Sequence, residues 1–357
     1  MKKKCTLILI TVLTLVMVFN LTLAIYAAEP LVVIGDSMQP LSNPVNAAEL
    51  NFKQWVAQAL GIELITTNDD FREEKQVQDV ESLVARGVQG VLVICLTTSI
   101  GPKIVQICED ANIPLANHNR GVAVDINDSK ILVSQVLQDD FGAGYECMKQ
   151  LLDSGARNII MINGPKGVWA CEERYRGLMK AIAEVPDAKL IGEQWIQQVP
   201  EIAVETMENY LTKFGSGEID GVWSGFSVAG MGALAAIKKT NRLDEIKIVT
   251  HDLMADVIDA IGRGEIYFGI GEHQSVGGFA LIQLYDYIKG YPMEPKRVII
   301  QPMIGVTTEN IGDWEKYWKD NKPFTLEQIR QLSKVYNPNA KLVETVENLK
   351  IVPVIAQ

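Results

Sequence analysis

Short apolar runs alternate with amphipathic segments along this chain, and the series is played out twice. In the first series, residues 31–35, 62–66, 91–95, 114–117 and 131–134 read as strands, and 47–60, 73–86 and 103–111 as helices. In the helix over 73–86, Val77, Val80, Leu83 and Val84 share one face, and Gly61 and Gly87 follow the first two helices as stop signals. The strands are rich in Val, Ile and Leu with little alternation, which is the pattern of a parallel sheet covered on both faces. Strand–helix–strand units of this length form right-handed crossovers. The second series has strands at 158–163, 189–195, 221–223, 247–250 and 267–270, with helices at 171–184, 203–214, 228–239 and 255–262. A helix at 277–288 and a strand at 297–301 follow, then helices near 313–318 and 326–332. The fold class is α/β, with two doubly wound parallel-sheet lobes. No Pro/Gly/Ser-rich linker separates the series near 137–139, so the lobes are expected to be joined by chain crossings.

The chain has 357 residues, enough for two cores. Lys2, Lys3 and Lys4 precede an apolar run that ends at Ile25-Tyr26-Ala27-Ala28. That is the build of an export signal over residues 1–28, cleaved after Ala27 or Ala28, and it predicts a periplasmic protein. The alternative is a membrane anchor, since the run could just span a bilayer. Cys5 lies too early to serve as a lipid-anchor cysteine. Removal of residues 1–28 takes away three lysines and no acid, so the net charge of −11 becomes −11 − 3 = −14. Such a surface lacks the basic patches that nucleic acid or an anionic membrane demands. Of the remaining cysteines, Cys95, Cys108 and Cys147 fall in apolar segments and read as buried free thiols; Cys171 is left open. There is no C-x-x-C, and His118, His251 and His273 are far apart, so neither a metal nor another cofactor is expected.

In open parallel sheets, ligands bind beyond the carboxyl ends of the strands. Those positions carry Asp36, Asn43 and Asn46, then Asn119 and Arg120, then Trp169, Glu172 and Arg174, then Phe226, Asp252, Glu272 and His273. Amides, carboxylates and guanidinium groups bind hydroxyls, and an aromatic face covers the C–H face of a sugar. Trp169 is expected to touch ligand and Trp223, inside a strand, to be core. Gly225-Phe226-Ser227-Val228-Ala229 follows a strand and opens a helix, much like a hydrolase nucleophile elbow. The division into two equal lobes argues against that fold. The glycine pairs Gly142/Gly144 and Gly269/Gly271 make no complete dinucleotide loop.

Three stretches carry a resemblance: Val84-Ala85-Arg86-Gly87-Val88-Gln89-Gly90-Val91-Leu92-Val93-Ile94, Ala111-Asn112-Ile113-Pro114-Leu115 and Asn119-Arg120. Glu173-Arg174-Tyr175-Arg176-Gly177-Leu178 and Gly230-Met231-Gly232-Ala233-Leu234 extend it. Over residues 31–310 the chain resembles bacterial periplasmic sugar-binding proteins of the ribose- and galactose-binding type. The resemblance implies two lobes joined by three crossings that close on a small ligand without covalent chemistry. The lobes would be residues 29–137 plus 275–302, and 138–274 plus 303–357 with a C-terminal extension. It implies a monomer that delivers a carbohydrate or polyol to an ABC transporter permease, with no enzymatic activity and no nucleic-acid partner. The family's site maps onto Asn43, Asn46, Asn119, Arg120, Glu172, Phe226, Asp252 and Glu272; Trp169 joins them as a candidate stacking aromatic. Arg120 and Asp252 match the family pattern. Glu172 stands where the family has Arg, and Glu272 where it has an amide. These extra acids suggest a polyol, cyclitol or amino sugar. The alternative is a ligand sensor for chemotaxis or signalling built on the same fold.

Overall fold

The structure is a computed structural model describing residues 31–356, so the expected export signal over 1–28 lies outside the described residues. One sheet is built from β1 (Val32–Met38), β2 (Ile62–Asn68), β3 (Gly90–Val93), β4 (Leu115–Asn119), β5 (Leu132–Gln138) and the late strand β11 (Val298–Gln301). Its helices are α1 (Pro44–Leu60), α2 (Glu73–Ala85), α3 (Gly101–Asp110) and α9 (Val276–Ile288). The other sheet is built from β6 (Asn158–Asn163), β7 (Lys189–Trp195), β8 (Gly221–Ser224), β9 (Lys247–His251), β10 (Phe268–Gly271) and β12 (Ile304–Val306). With it go α4 (Asp140–Asp153), α5 (Trp169–Ile182), α6 (Pro200–Lys213), α7 (Ser227–Lys239) and α8 (Ala255–Gly262).

Strand order is β11-β5-β4-β3-β1-β2 in the first lobe and β12-β10-β9-β8-β6-β7 in the second. The β1–β3, β3–β4, β4–β5 and β5–β11 pairs are parallel, as are β6–β7, β6–β8, β8–β9 and β9–β10. The edge strand β12 runs antiparallel to β10. The two doubly wound lobes expected from the sequence are therefore present. Three passages of the chain join the sheets: β5 into α4, β10 into α9, and β11 into β12. Val91, Val93, Leu115 and Leu132 anchor the first core, and Met161, Trp223, Val249 and Ile270 the second. All four cysteines from Cys95 onward are free and buried, Cys171 included.

β5 runs beyond the expected 131–134 to Gln138. Its polar residues hid it, yet they are buried because each has a partner near the hinge. The Gln135 side chain accepts from Asn117, and Gln138 donates to Asp140 at 2.9 Å. The glycines also have a packing reason. A Cβ on Gly144 would stand 2.0 Å from the Arg174 carbonyl, and one on Gly177 2.0 Å from the Phe141 carbonyl. Their absence lets α4 and α5 touch backbone to backbone. That contact brings Arg174 to Asp140.

The C-terminal segment departs from expectation. The expected boundaries place residues 303–357 in the second lobe, but only β12 and α10 (Ile311–Tyr317) follow it. Helices α11 (Leu326–Leu332) and α12 (Leu342–Glu347) pack on α1 and β11 of the first lobe. Apolar complementarity decides this: Phe324 is fully buried against Phe279 of α9.

Candidate functional site

Between the lobes lies a cavity of about 490 Å³ whose walls are the carboxyl ends of the strands. The first lobe contributes the β1–α1 turn and the β4 end. Asn43 caps α1, its side chain accepting from the Val45 amide at 3.0 Å, and Pro44 opens the helix with the fixed φ suited to that position. Asn46, buried one turn in, donates to the Pro40 carbonyl at 2.9 Å. At β4, Asn119 takes φ 71°, a left-handed conformation that Asn tolerates well. The turn is held by the Asn117 side chain donating to the Arg120 carbonyl at 2.6 Å. Arg120 reaches across to donate to the Leu96 carbonyl at 2.8 Å and makes no ion pair among the described residues.

The second lobe contributes the starts of α5, α7 and α8. Arg174 is buried, with Nε 2.9 Å from Asp140, Nη1 donating to the Gly225 carbonyl at 2.7 Å, and Asp252 3.6 Å away. Burial alone would pull its guanidinium down, but Asp140 and Asp252 outweigh this and hold it above its ordinary value. Asp252 sits at φ 67° with only long contacts: the Ser227 amide at 3.4 Å, Arg174 at 3.6 Å and His273 at 3.8 Å. Phe226, in extended backbone before α7, is the aromatic of the lining. His273 enters from the hinge, buried, with burial pulling its imidazole down despite Asp252.

Six of the nine residues expected from the sequence therefore meet here: Asn43, Asn46, Asn119, Arg120, Phe226 and Asp252. Three do not. Trp169 is 49% exposed and lies outside the lining. Glu172 accepts from the Gly167 amide at 2.9 Å and closes its own loop. Glu272 is buried in left-handed backbone (φ 67°) and takes the Trp314 indole N–H at 2.5 Å, away from the cavity. Arg174 and His273, seen at strand ends but not chosen, take the places given to Glu172 and Glu272. For Arg174 the signal was present: Cys171, Arg174, Leu178 and Ala181 are all buried and fall at helical spacing on one face.

The nucleophile-elbow likeness does not extend to a catalytic pair. His251 is buried, its Nδ1 2.9 Å from the Ser224 carbonyl, and burial drives it down to about 3. Its Nδ1 is engaged by the Ser224 carbonyl, and no hydrogen bond joins it to Ser227 among the described residues. Among the described residues no cluster of ligands could hold a metal ion, and no helix is long and apolar enough to cross a membrane.

The periplasmic binding protein domain family matches residues 34–291, which takes in both lobes and the cavity. The chain belongs to this family. It is 29% identical over 259 residues to the xylitol-binding protein of Mycolicibacterium smegmatis, covering 71% of each chain. It is 24% identical over 275 residues to the galactofuranose-binding protein of Escherichia coli, covering 75% of this chain and 86% of that one. The fold matches a periplasmic solute-binding protein of an ABC transporter from Actinobacillus succinogenes, solved with D-allose. The TM-score is 0.72 at 22% identity, over 79% of this chain and 99% of that one. This family member is a binding protein and not an enzyme.

Proposed function

We propose that this family member is a periplasmic receptor that closes on a neutral sugar or polyol and hands it to an ABC importer. The charge balance of the cavity carries the reading. Arg174 is already matched by Asp140, which leaves one guanidinium, Arg120, on the first lobe. Facing it from the second lobe is one loosely held carboxylate, Asp252. A neutral ligand rich in hydroxyls gives to Asp252 and accepts from Arg120 at once, drawing the lobes together. Phe226 offers an apolar face for C–H groups, and the free Asn119 side chain adds a donor and an acceptor. The relatives named for xylitol and galactofuranose support the same ligand class. The acids that had pointed to an amino sugar, Glu172 and Glu272, both lie outside the lining, so a cationic ligand loses its support.

Exposed apolar residues stand on both lobes beyond strand ends: Leu41 and Phe71 on the first, Trp169 and Val199 on the second. A permease that reads lobe closure would meet them together. The test is thermal unfolding of residues 29–357, stripped by unfolding and refolding, against pentoses, hexoses, polyols, cyclitols, sugar acids and amino sugars. A neutral ligand at a hundred times its Kd raises stability by about 2.7 kcal/mol and moves the midpoint by degrees. A panel in which only charged sugars, or none, shift the midpoint would overturn the reading.

A further inference from the structure

Beyond residue 291, where the family match ends, the chain crosses between the lobes once more than the three passages that join the sheets. Helix α10 rests on α8 of the second lobe, with Ile311 against Gly262. From it Trp314 donates its indole N–H to Glu272. Glu272 belongs to the β10–α9 passage, and its carbonyl also takes the Gln301 side chain of the β11–β12 passage at 2.9 Å. The extra segment is thus bonded to one sheet passage and, through Glu272, linked to a second. Trp318 then tucks in at 1% exposure, donating to the Ile351 carbonyl at 2.7 Å.

After the short polar stretch Lys319-Asp320-Asn321-Lys322, the chain is anchored on the first lobe. The Phe324 carbonyl takes the Trp55 indole N–H at 2.8 Å, and Lys322 lies 4.4 Å over the Trp55 ring. Arg330 donates to the Ala59 carbonyl at 2.9 Å. Ser333 and the Lys334 amide bond the buried Asp286 of α9 at 2.5 and 2.9 Å. Both anchors are buried, while the stretch between them is mostly exposed.

We propose that this segment is a clasp: a fourth covalent link, latched to the hinge at Glu272, that limits how far the empty lobes swing apart. From the latch at Trp314 to Phe324 the chain reaches at most about 35 Å when fully extended. The proposal rests on the reading of the cavity as a cleft that opens and closes, but it concerns the ligand-free protein and does not depend on which sugar binds.

The test keeps both anchors and changes only the link. Ten Gly/Ser residues inserted between Asp320 and Asn321 loosen it at little cost in loop entropy. A protease site in a second variant allows the link to be cut after folding. Spin labels on Glu81→Cys in the first lobe and Thr212→Cys in the second report the lobe separation without sugar; the native thiols are buried and react slowly. The expected result is a longer and broader distance distribution in the lengthened and the cut proteins, and faster release of bound sugar, by threefold or more. Trp314→Phe, which keeps an aromatic ring but removes the indole donor, should move the distances the same way by less. Superimposable ligand-free distributions before and after cutting would overturn the clasp, even if the sugar panel had succeeded; a silent sugar panel would leave the distance result standing.

Discussion

Two groups of charged residues, one inside the first lobe and one lining the cavity between the lobes, differ in how they are paired. Asp36, Glu49, Lys53 and His118 sit at 0–1% exposure between β1, α1 and β4. Lys53 stands 2.8 Å from Asp36 and 3.8 Å from Glu49, and His118 Nδ1 stands 2.8 Å from Glu49. Burial alone would push the Glu49 carboxyl up, but His118 and Lys53 outweigh it and hold it below its ordinary value. Each member lies within 3.8 Å of another inside the group. In the cavity, by contrast, Arg120 has no carboxylate within ion-pair reach, and Asp252 has only a share of Arg174, at 3.6 Å, which Asp140 holds closer at 2.9 Å. Matched charge fixes α1 on the sheet, and with it the Asn43–Asn46 turn. Unmatched charge is what a ligand can use. Acids and bases meet in both places, and how they are paired separates scaffold from site.

The comparison breaks if removing a matched charge is harmless. Lys53→Met leaves the buried Asp36 carboxylate without its cation and should cost about 3–5 kcal/mol of stability, read by urea unfolding. Arg120→Met should behave in the opposite way. Its loss should weaken sugar binding by roughly a hundredfold, the worth of one or two charged hydrogen bonds. Stability of the ligand-free protein should change by less than about 1 kcal/mol. Titration calorimetry and unfolding on the same two variants decide the matter. If both variants lost stability alike and kept binding, the division between scaffold and site would be wrong.

The sequence was most legible where one rule, polar residues after an apolar run, coincided with strand ends. Asn43, Asn119, Arg120 and Asp252 all follow from it. It was least legible where helical phase decides. Trp169 and Glu172 are three apart and share one face of the first turn of α5, while Cys171 and Arg174 share the other. A strand end does not reveal that phase; the buried spacing from Cys171 to Ala181 does. Glu272 was misplaced for a different reason. Its partner Trp314 lies 42 residues away, and no local pattern announces the contact. The C-terminal segment was read as surface dressing on one lobe because its helices are short and its anchors, Phe324 and Trp318, depend on pockets built by distant chain.

Glu272 also sharpens the comparison, since it is a buried acid with no cation beside it. Burial raises it from 4.5 to about 8, with the Trp314 hydrogen bond opposing. A group raised on folding contributes stability that is full below the unfolded value and is lost as pH climbs through the folded one. The buried histidines His251 and His273, lowered on folding, act the other way and only below their ordinary 6.5. Between pH 6.5 and about 8 the fall due to Glu272 should therefore stand clear, at up to about 1 kcal/mol per pH unit. Glu272→Gln keeps an acceptor for Trp314 and removes the titration. The difference in stability between this variant and the parent, followed by urea unfolding across that range, should grow with pH; a difference that stays flat would mean that Glu272 is ionised at neutral pH.

The smallest expected effect is the sharpest check on where the site ends. Trp169 is the residue a sequence reader would choose first as a stacking platform, and the fold turns it outward at 49% exposure. Trp169→Ala should leave the Kd for sugar within about twofold and stability within about 0.5 kcal/mol, as for other surface changes away from a packed feature. Phe226→Ala, at the buried position facing the cavity, should weaken binding by far more. If Trp169→Ala proved the more damaging for binding, closure would have to carry that ring into contact with the ligand, and the unmatched pair Arg120 and Asp252 would no longer suffice to define the site.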